Sequence, residues 1–430
     1  MVVQRTMKSV VLKSMALAVG LLVLVSGTAL GAKQVQLQIL STTIVENPEG
    51  RVEEAIAKEF MASNPDIVLE FLGTPMNNAY QRLTTLAVGG VVPDVFTNTP
   101  EFIAQAADMG IAADLRELFE PEYLAGFDPN VMKEAVYDGQ VLFLPWFTIP
   151  YALIYRTDWL AETGLEPPET WDDFLKVAAA MTKDTDGDGV IDRWGFALLG
   201  SRNNSAASRL MPVLWTYGVT ELGQNEKGEW YTELDSPAAI EAMDMLASTY
   251  KKGYVPPGVL QTSYAEAVTQ MALEKTGMMI SGPHTIGAVI AQNPSLAGKF
   301  AAVPIPAKVQ HASTLGTYGF AIAADSSHQA EAVRYLKNLM STENLLEWNR
   351  VTGRLPVRLE ALQSADFDHA TFGGFVEASK YAHTPPQAPI YAEVQIIVAD
   401  AFQKILTDAA TAEQAMRSAA AQVRNLISRM

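Results

Sequence analysis

The chain has 430 residues, of which 49% are hydrophobic and 18% are charged. This balance supports large buried cores and excludes an intrinsically disordered protein. With 31 basic and 48 acidic residues, the formal net charge is -17. Such a charge repels phosphate backbones and anionic lipid headgroups, so we expect neither nucleic acid nor a membrane surface as a partner. The absence of cysteine from the sequence excludes disulfides, thiol nucleophiles and thiolate metal sites.

The amino terminus has the pattern of a secretory signal peptide. Arg5, Lys8 and Lys13 precede an apolar stretch at about 15–25, and small residues follow. The apolar stretch is shorter than the ~20 residues that a membrane-spanning helix requires. We therefore expect residues 1–32 to be removed on export. The mature protein should be periplasmic or secreted, soluble, and free of a lipid anchor because it has no cysteine to carry one.

After this leader, short β-rich runs alternate with helical patterns, which predicts an α/β fold of mostly parallel sheets flanked by helices. The length predicts two lobes, at 100 to 200 residues per domain. The early predicted strands are 35–40, 67–72 and 93–97, and the helices between and after them are 51–61, 80–88 and 101–109. In such a unit the ligand loops follow the carboxyl ends of the strands.

The later chain continues the alternation. Its predicted strands are 141–147, 152–156, 196–199, 278–281, 300–305 and 320–323. Its predicted helices begin after a Thr170 cap and include 208–217, 237–250, 266–274 and one long final segment at 391–427.

The loop DTDGDGVID has the residue pattern of a calcium loop. The candidate ligands are Asp184, Asp186, Asp188, the carbonyl of Val190, and Asp192. They match positions 1, 3, 5, 7 and 9 of an EF-hand loop, but position 12 is Gly195 instead of a bidentate glutamate. The sequence leaves two interpretations open, a structural calcium ion or a solvated acidic turn. We expect no other cofactor.

Several segments, taken in order, have a familiar arrangement. They are VPDVF from Val92, DGQVLFLPW from Asp138, PPETWDDF from Pro167, EKTGMMISGP from Glu274 and VTGRLPVR from Val351. In order and spacing the mature chain resembles the exported solute-binding proteins of bacterial carbohydrate ABC importers, the maltose-binding-protein-like family 1. The resemblance implies a type II periplasmic-binding-protein fold with a ligand cleft between two lobes. The first lobe would comprise 33–144 plus 307–354, and the second 145–306 plus 355–430.

The resemblance also implies where the ligand binds. In the first lobe the loops after the strands offer Ser41, Thr42, Asn77, Tyr80, Asn98 and Glu101 for sugar hydroxyls. In the second lobe the family's aromatic sugar contacts correspond to Trp146, Tyr151, Trp215, Tyr217 and Tyr391. Core packing is the alternative for each aromatic residue, and an interaction with the helix dipole is the alternative for Glu101.

Three further residues complete the predicted site. His284 follows the SGP turn, where many members of the family have tryptophan. Tyr318 lies between two glycines that allow a ligand to approach closely, and Arg354 follows Gly353. Arg354 alone provides few donors for a phosphate, so a neutral sugar is favoured over a phosphorylated polyol such as glycerol 3-phosphate.

The functional prediction is binding and delivery without covalent chemistry. A monomer would close on a mono- or oligosaccharide and pass it to a membrane permease driven by a cytoplasmic ATPase, as the resemblance implies. The sequence contains no GxxxxGK[ST] loop and no GxSxG elbow. The enzyme alternative is a secreted glycoside hydrolase, which would share aromatic platforms and paired carboxylates.

Overall fold

A computed structural model of the chain describes residues 34–386, 388 and 390–430, so the predicted signal peptide lies outside the described residues. The strands are β1 Val35–Leu40, β2 Ile67–Phe71, β3 Val95–Asn98, β4 Val136–Tyr137, β5 Gln140–Val141, β6 Leu144–Thr148, β7 Ala152–Arg156, β8 Trp194–Phe196, β9 Gly223–Gln224, β10 Trp230–Tyr231, β11 Thr276–Ser281, β12 Phe300–Val303, β13 Ser313–Thr314, β14 Tyr318–Ile322, β15 Leu355–Pro356 and β16 Ala382–His383.

The helices lie between and around these strands. They are α1 Glu49–Ser63, α2 Met76–Val88, α3 Ile103–Asp108, α4 Pro121–Leu124, α5 Pro129–Glu134, α6 Thr157–Thr163, α7 Trp171–Met181, α8 Asn204–Thr216, α9 Pro237–Lys251, α10 Tyr264–Ala272, α11 His284–Gln292, α12 Gln329–Leu339, α13 Thr342–Thr352, α14 Leu359–Leu362, α15 His369–Ser379, α16 Tyr391–Leu406 and α17 Ala412–Ile427. Within the described part of the chain, no helix has the length and apolar character needed to cross a bilayer.

The first lobe is built on a six-stranded sheet with the order β15-β6-β14-β3-β1-β2. Strand β1 is parallel to β2 and β3, whereas β14 is antiparallel to β3 and β6. Every residue of β3 and β6 is buried, because these strands lie inside the sheet with protein on both faces.

The second lobe is built on a four-stranded sheet with the order β12-β7-β11-β8. Side chains alternate along β7, so Ala152 and Ile154 join a core shared with the first lobe. Leu153 and Tyr155 point to the opposite face and join the core formed with α7, α8, α9, α16 and α17. The face of the second sheet that carries Ala152 and Ile154 is covered by α10 and α15.

Two segments carry the chain between the sheets at neighbouring positions. Residues 149–151 connect β6 to β7, and residues 304–317 connect β12 to β14. Gly316 has a φ of 58°, and a Cβ atom there would lie 3.1 Å from the carbonyl oxygen of Ile149. The two connections therefore touch, which places a joint between the lobes beside the ends of β6 and β14.

The proposed lobe boundaries, 33–144 plus 307–354 and 145–306 plus 355–430, stay predictions. Strand pairing places β6 and β15 in the six-stranded sheet of the first lobe, so this sheet extends a few residues past the predicted boundaries at 144 and 354. Both sheets contain more antiparallel pairs than the alternation of strands and helices predicted. A parallel pair needs a helical crossover between its strands, whereas a strand that enters a sheet from the other lobe can run in either direction.

The expected long helix at 391–427 is wrong, because α16 and α17 are separate. Asp408 has a φ of 54°, a left-handed conformation that interrupts a helix. Thr411 then starts α17 with a capping box, in which its side chain accepts from the Gln414 backbone and the Gln414 side chain accepts in return. The predicted strand at 141–147 is also divided, between β5 and β6.

The packing of α15 on β12 gives a matched test of the fold. A Cβ atom at Gly374 would lie 1.8 Å from the Ala302 carbonyl oxygen, whereas one at Gly373 would meet nothing within 4 Å. We expect Gly374→Ala to lower the free energy of unfolding by about 1–3 kcal/mol through overpacking. Gly373→Ala should raise it by about 0.5–1 kcal/mol, because alanine loses less entropy in a helix. Urea denaturation of both variants checks the packing, and equal effects would contradict it.

Candidate functional site

The loops that carry the predicted site lie at the edge where the two sheets face each other. In the first sheet Gly319 pairs with Asn98, so the start of β14 lies beside the end of β3. In the second sheet Ser281 pairs with Ala152, so Tyr151 lies at the same edge as the turn after β11. Polar and aromatic side chains from both lobes therefore converge on one cleft.

The loop after β1 forms the floor of this cleft and is held by a buried carboxylate. The Ser41 hydroxyl donates to both oxygens of Glu53 at 2.8 and 2.9 Å, and Thr43 donates at 2.7 Å. Ser41 and Thr42 are almost fully buried. Their predicted role as ligand contacts is wrong for this conformation, because Ser41 is committed to Glu53 and Thr42 lies beneath the surface.

The loop after β3 presents an acid beside an aromatic ring of α2. Thr99 donates to Glu101 at 2.5 Å, and the Tyr80 hydroxyl is hydrogen-bonded to the same threonine. The Tyr80 ring stacks on Phe102 with the two ring planes parallel and their centroids 4.2 Å apart. Glu101 is exposed. The structure thus places Tyr80 and Glu101 beside the same threonine, and their role as ligand contacts stays a prediction.

The two predicted asparagines lie in different elements, Asn98 at the end of β3 and Asn77 in α2. Asn98 is fully buried, and its side-chain oxygen accepts from the Thr99 backbone at 3.0 Å, so it shapes the loop. Its Nδ2 atom is buried without a partner among the described residues. Asn77 lies in the first turn of α2, and its side chain is outside the described part of the structure.

A stack of three side chains forms the central wall. The Tyr318 ring lies on Phe147 with centroids 5.1 Å apart, and the Arg354 guanidinium lies 4.9 Å from the Phe147 centroid. Arg354 is also paired with Glu49, and with Glu46 at 3.6 Å. Burial raises the pKa of Tyr318 above its ordinary value, and the negative charge of Glu101 raises it further. Tyr318, Arg354 and Glu101 therefore share one site.

Trp146 does not belong to this wall, and its prediction as a sugar platform is wrong for this conformation. Its side chain is 1% exposed and packs on Trp348 and Phe320, with the tryptophan ring centroids 4.0 Å apart. Successive residues of a strand point to opposite faces, so Trp146 faces the core when Phe147 faces Tyr318 and Arg354.

His284 begins α11 and lies where the lobes touch. A Cβ atom on Gly353 would be 3.1 Å from the His284 Cα atom, so the loop that carries Arg354 approaches the His284 backbone closely. The imidazole lies near Tyr264, with ring centroids 5.4 Å apart. Burial lowers the pKa of His284 to about 3, and the positive charges of Arg354 and Arg209 contribute. His284 is therefore neutral at physiological pH.

Tyr151 and Tyr264 enclose an arginine that the sequence analysis did not single out. The Arg209 guanidinium lies 4.9 Å from the Tyr151 centroid and 5.0 Å from the Tyr264 centroid. It donates to the Ser281 hydroxyl at 2.9 Å, and Thr285 donates to the same hydroxyl at 2.7 Å. This group forms the second-lobe side of the cleft, and the role of Tyr151 as a ligand contact stays a prediction.

A small cavity of about 150 Å³ is lined by Trp215 and by Glu221, the hydrogen-bond partner of Tyr391. Trp215 lines it, stacked on His383 with centroids 5.1 Å apart. The Trp215 indole donates to Glu221 at 2.6 Å, and the Tyr391 hydroxyl donates to the same carboxylate at 2.8 Å. Burial raises the pKa of Glu221. Trp215 and Tyr391 are therefore near a cavity, but each is largely buried and tied to Glu221.

Tyr217 is placed in the core of the second lobe. Its side chain is 5% exposed, and Lys308 approaches the ring to 5.8 Å. Burial raises its pKa above the ordinary value. Its prediction as a ligand contact is wrong for this conformation, because α8 ends just before it and turns the ring inward.

The small cavity is linked to the first lobe by a buried acid. Thr384, which lines the cavity, donates to Glu134 of α5 at 3.1 Å. Burial raises the pKa of Glu134 to about 7 against the opposing effect of hydrogen bonds from Thr317 and Thr384. The segment around His383 and Thr384 is thus a further contact between the lobes.

The acidic loop is separate from the cleft. Asp184, Asp186 and Asp188 offer oxygen atoms that lie within 4.8 Å of one another. Asp184 accepts from the Gly187 and Gly189 backbones at 2.7 Å, and Asp192 accepts from the Thr185 hydroxyl instead of facing the other acids. These bonds describe an ordered turn, and calcium binding with ligation by Val190 and Asp192 stays a prediction.

A groove of about 940 Å³ lies elsewhere, on the outside of the first lobe between α1 and α13. Its lining includes Arg51, Glu59, Glu343 and Glu347 and none of the cleft residues described above. It is therefore not part of the candidate site.

Arg209, Tyr264 and Glu46 are the cleft residues that sequence reasoning missed. Arg209 carried a usable signal, since it lies between Ala206 and Leu210 on the buried stripe of α8. A charged residue on an apolar stripe is costly unless it has a function or a partner. Tyr264 begins a helix far from the conspicuous motifs, and only tertiary packing brings it to Arg209.

Comparisons with known proteins agree with this architecture. The family described as bacterial extracellular solute-binding protein matches residues 46–345. A binding protein of Brucella abortus is 28% identical over 414 residues, 94% of this chain and 96% of that protein. The diacetylchitobiose binding protein DasA of Streptomyces coelicolor is 27% identical over 355 residues, 79% of this chain and 77% of that protein.

A solved structure extends the comparison to the fold. An ABC transporter solute-binding protein from Thermotoga lettingae, bound with alpha-D-tagatose, is similar with a TM-score of 0.75. The identity is 23%, and the match covers 92% of this chain and 100% of that chain. The two-lobed α/β fold expected from the sequence is confirmed.

The carboxylate under the Ser41 loop gives a pH test. Burial raises the pKa of Glu53 to about 7 from an ordinary 4.5, although Thr43 and Ser41 donate to it. The native state therefore holds this proton more firmly, and the resulting stability is lost as pH rises from about 4.5 to 7. We expect Glu53→Gln to reduce this loss by up to about 3 kcal/mol.

Denaturant unfolding at a series of pH values measures the effect. Glu59→Gln is the control, because Glu59 is an exposed residue of the same helix and is not among the charges that act on Glu53. Its profile should match that of the unmodified protein. A Glu53→Gln profile that also matches would show that the buried carboxylate does not titrate in this range.

Proposed function

Because the chain belongs to the bacterial extracellular solute-binding protein family, we propose that it captures a carbohydrate between its lobes and delivers it to an ABC permease. It would act outside the cytoplasm, in the periplasm or after secretion, as a monomer freed of its signal peptide. A cytoplasmic ATPase would drive the partner permease. The proposal assigns the protein a cycle of binding and release, with no covalent step.

The convergence of ring faces and planar polar groups on one cleft is the observation that carries this proposal. Tyr80, Tyr318 and Glu101 come from the first lobe, and Tyr151 and Tyr264 come from the second. A sugar has apolar C–H patches on its ring faces and hydroxyls at its rim, so it needs this combination of side chains. A carboxylate such as Glu101 can accept hydrogen bonds from neighbouring hydroxyls.

The names of two similar proteins support the choice of ligand class. The Streptomyces coelicolor relative is named for diacetylchitobiose, and the Thermotoga lettingae structure contains tagatose. Both are carbohydrates, although they differ in size. The present chain would therefore take a carbohydrate, with its own cleft residues deciding which one.

Hinge closure would couple binding to delivery. The two connections at residues 149–151 and 304–317 form a narrow joint, and a ligand that touches both lobes favours the closed arrangement. It can shift the equilibrium only by the difference between its affinities for the closed and open states. A permease that recognises the closed form would then respond to loaded protein.

The carboxylates of the cleft support binding over glycoside hydrolysis. Glu46 and Glu49 are both paired with Arg354, and Ser41 and Thr43 hold Glu53 beneath the floor. A hydrolase needs an acid and a second carboxylate on either side of the scissile bond. The contacts of these three acids tie them to protein groups instead.

A substitution at the acid of the first lobe tests the proposed site. The starting ligand is the tightest binder from a thermal-shift screen of mono-, di- and trisaccharides. We expect Glu101→Gln to weaken its binding by at least about tenfold, because hydrogen bonds to a charged group contribute about 1.5–3 kcal/mol. The melting temperature of the free protein should stay unchanged, since Glu101 is exposed.

Titration calorimetry measures the affinity, and Glu54→Gln on the exposed face of α1 is the charge-matched control. Equal affinities for Glu101→Gln, Glu54→Gln and the unmodified protein would remove Glu101 from the site. Release of product during the titration would replace binding with hydrolysis as the function.

A further inference from the structure

Arg209 is a buried arginine whose charge the protein does not neutralise. Its residue exposure is 7%, and its hydrogen bonds go to the Ser205 carbonyl and hydroxyl and to the Ser281 hydroxyl. Those acceptors are neutral. Every aspartate and glutamate of the sequence lies within the described residues, and none forms a salt bridge with Arg209.

Two other arginines that are buried to a similar degree each have a carboxylate partner, as buried charges usually do. Arg156 is paired with Asp158 and Glu274 at 2.7 and 3.0 Å, and Arg193 is paired with Glu162 at 2.7 Å. A buried charge without an opposite charge is strongly unfavourable, because it has lost its hydration. The ring faces of Tyr151 and Tyr264 offset part of this cost for Arg209.

The guanidinium also has donors to spare. It has five N–H groups, and three of them are used by the serines. Its Nε atom is buried without a partner among the described residues. The free donors therefore include the Nε–H group, which together with an Nη group can bind an oxyanion in a fork.

Two more buried nitrogen atoms without a hydrogen-bond partner lie near Arg209, in the corner formed by Arg209, His284 and Arg354. The Nε atom of Arg354 and the Nδ1 atom of His284 are both buried and unpartnered within the part of the chain that the structure describes. The Tyr264 ring links two of these side chains, because its centroid lies 5.0 Å from the Arg209 guanidinium and 5.4 Å from the His284 ring centroid. The loop that carries Arg354 approaches the His284 backbone at Gly353. His284 also begins α11, whose amino-terminal end carries a partial positive charge.

We infer that the captured carbohydrate carries an oxyanion, a carboxylate or a phosphate, which pairs with Arg209 beside His284 and Arg354. This assignment rests on the proposed function and specifies the class of ligand. The anion supplies the opposite charge that Arg209 lacks and accepts from the unpartnered arginine nitrogens, and from His284 in the tautomer that carries its proton on Nδ1. The rest of the sugar then lies against Tyr318 and Tyr80, with its hydroxyls within reach of Glu101.

The acids near the cleft fit this arrangement. Glu46 and Glu49 are both paired with Arg354, so Arg354 adds hydrogen-bond donors to the corner but no net positive charge. Glu101 is held by Thr99 on the first-lobe side, away from the Arg209 contacts with Ser205 and Ser281 on the second-lobe side. One end of the cleft is therefore suited to an anion and the other to hydroxyls.

Arg209 alters the balance between neutral and anionic ligands that the sequence suggested. Arg354 alone offered too few donors for a phosphate, but two arginines and an imidazole lie in one corner around Tyr264 and Gly353. Carboxylates and phosphates are both bound by the planar guanidinium group, so the shared chemistry is an oxyanion on a polyhydroxylated body.

Titration calorimetry on the mature chain, with matched ligands, tests the assignment. The carboxylate arm compares D-glucuronate with D-glucose and digalacturonate with galactobiose. The phosphate arm compares glucose 6-phosphate with glucose and glycerol 3-phosphate with glycerol. We expect the acidic member of at least one pair to bind at least tenfold more tightly than its neutral partner. The arm that contains this pair identifies the anion.

Substitutions of Arg209 separate charge recognition from folding. Arg209→Met should remove at least tenfold of the preference for the acidic ligand. Arg209→Lys keeps the positive charge but not the planar fork, so it should retain the fold and lose part of the preference. Arg51→Met, an exposed arginine of α1, is the matched control and should behave like the unmodified protein. If Arg209→Met does not fold, Arg209→Lys decides the result.

The outcomes are distinct. If, in every pair that binds, the neutral member binds as tightly as the acidic one, the inference is overturned and carbohydrate capture still stands. A preference for the acid that survives both Arg209 substitutions also overturns it. Binding of neither neutral nor acidic carbohydrates overturns the proposed function together with the inference.

Discussion

The backbones of the two lobes approach closely at positions where glycine removes the side chain, and the cleft depends on this approach. A Cβ atom at Gly282 would lie 2.3 Å from the Ile149 side chain, and one at Gly353 would lie 3.1 Å from the His284 Cα atom. Larger residues would force the lobes apart. Because the backbones meet here, Arg354 of one lobe reaches the side chains that surround His284 of the other.

Such a meeting place leaves polar groups that neither lobe can satisfy alone. At this edge β3 and β11 end and β14 and β7 begin, so polar side chains of both sheets lie in the loops between the lobes. Some are satisfied internally, as when Glu53 accepts from Ser41 and Thr43. Others, including Arg209, retain unused hydrogen-bonding capacity. A strongly acidic protein thus has an arginine without an acidic partner inside its cleft, where salt screens a buried charge only weakly.

Much of the fold followed from the sequence, because hydrophobic periodicity and helix caps are local signals. The strands at 35–40 and 152–156 and the helix after Thr170 lie where they were predicted. The residues of the site were harder to predict, because tertiary packing decides which side chains are buried and which face the cleft. Trp146 and Phe147 are neighbours on one strand, and the choice of which faces the cleft depends on the position of Trp348 some 200 residues later. Arg209 likewise became informative only when its lack of an acidic partner could be seen.

The central claim is that a carbohydrate bridges two lobes that move relative to each other. Because the sequence contains no cysteine, spin labels can be attached specifically at Val88→Cys in the first lobe and Val190→Cys in the second, both highly exposed positions. The distance distribution between the labels, measured by pulsed electron paramagnetic resonance, should shift to a single narrower population when the tightest-binding carbohydrate is added. An identical distribution with and without saturating ligand would contradict the account.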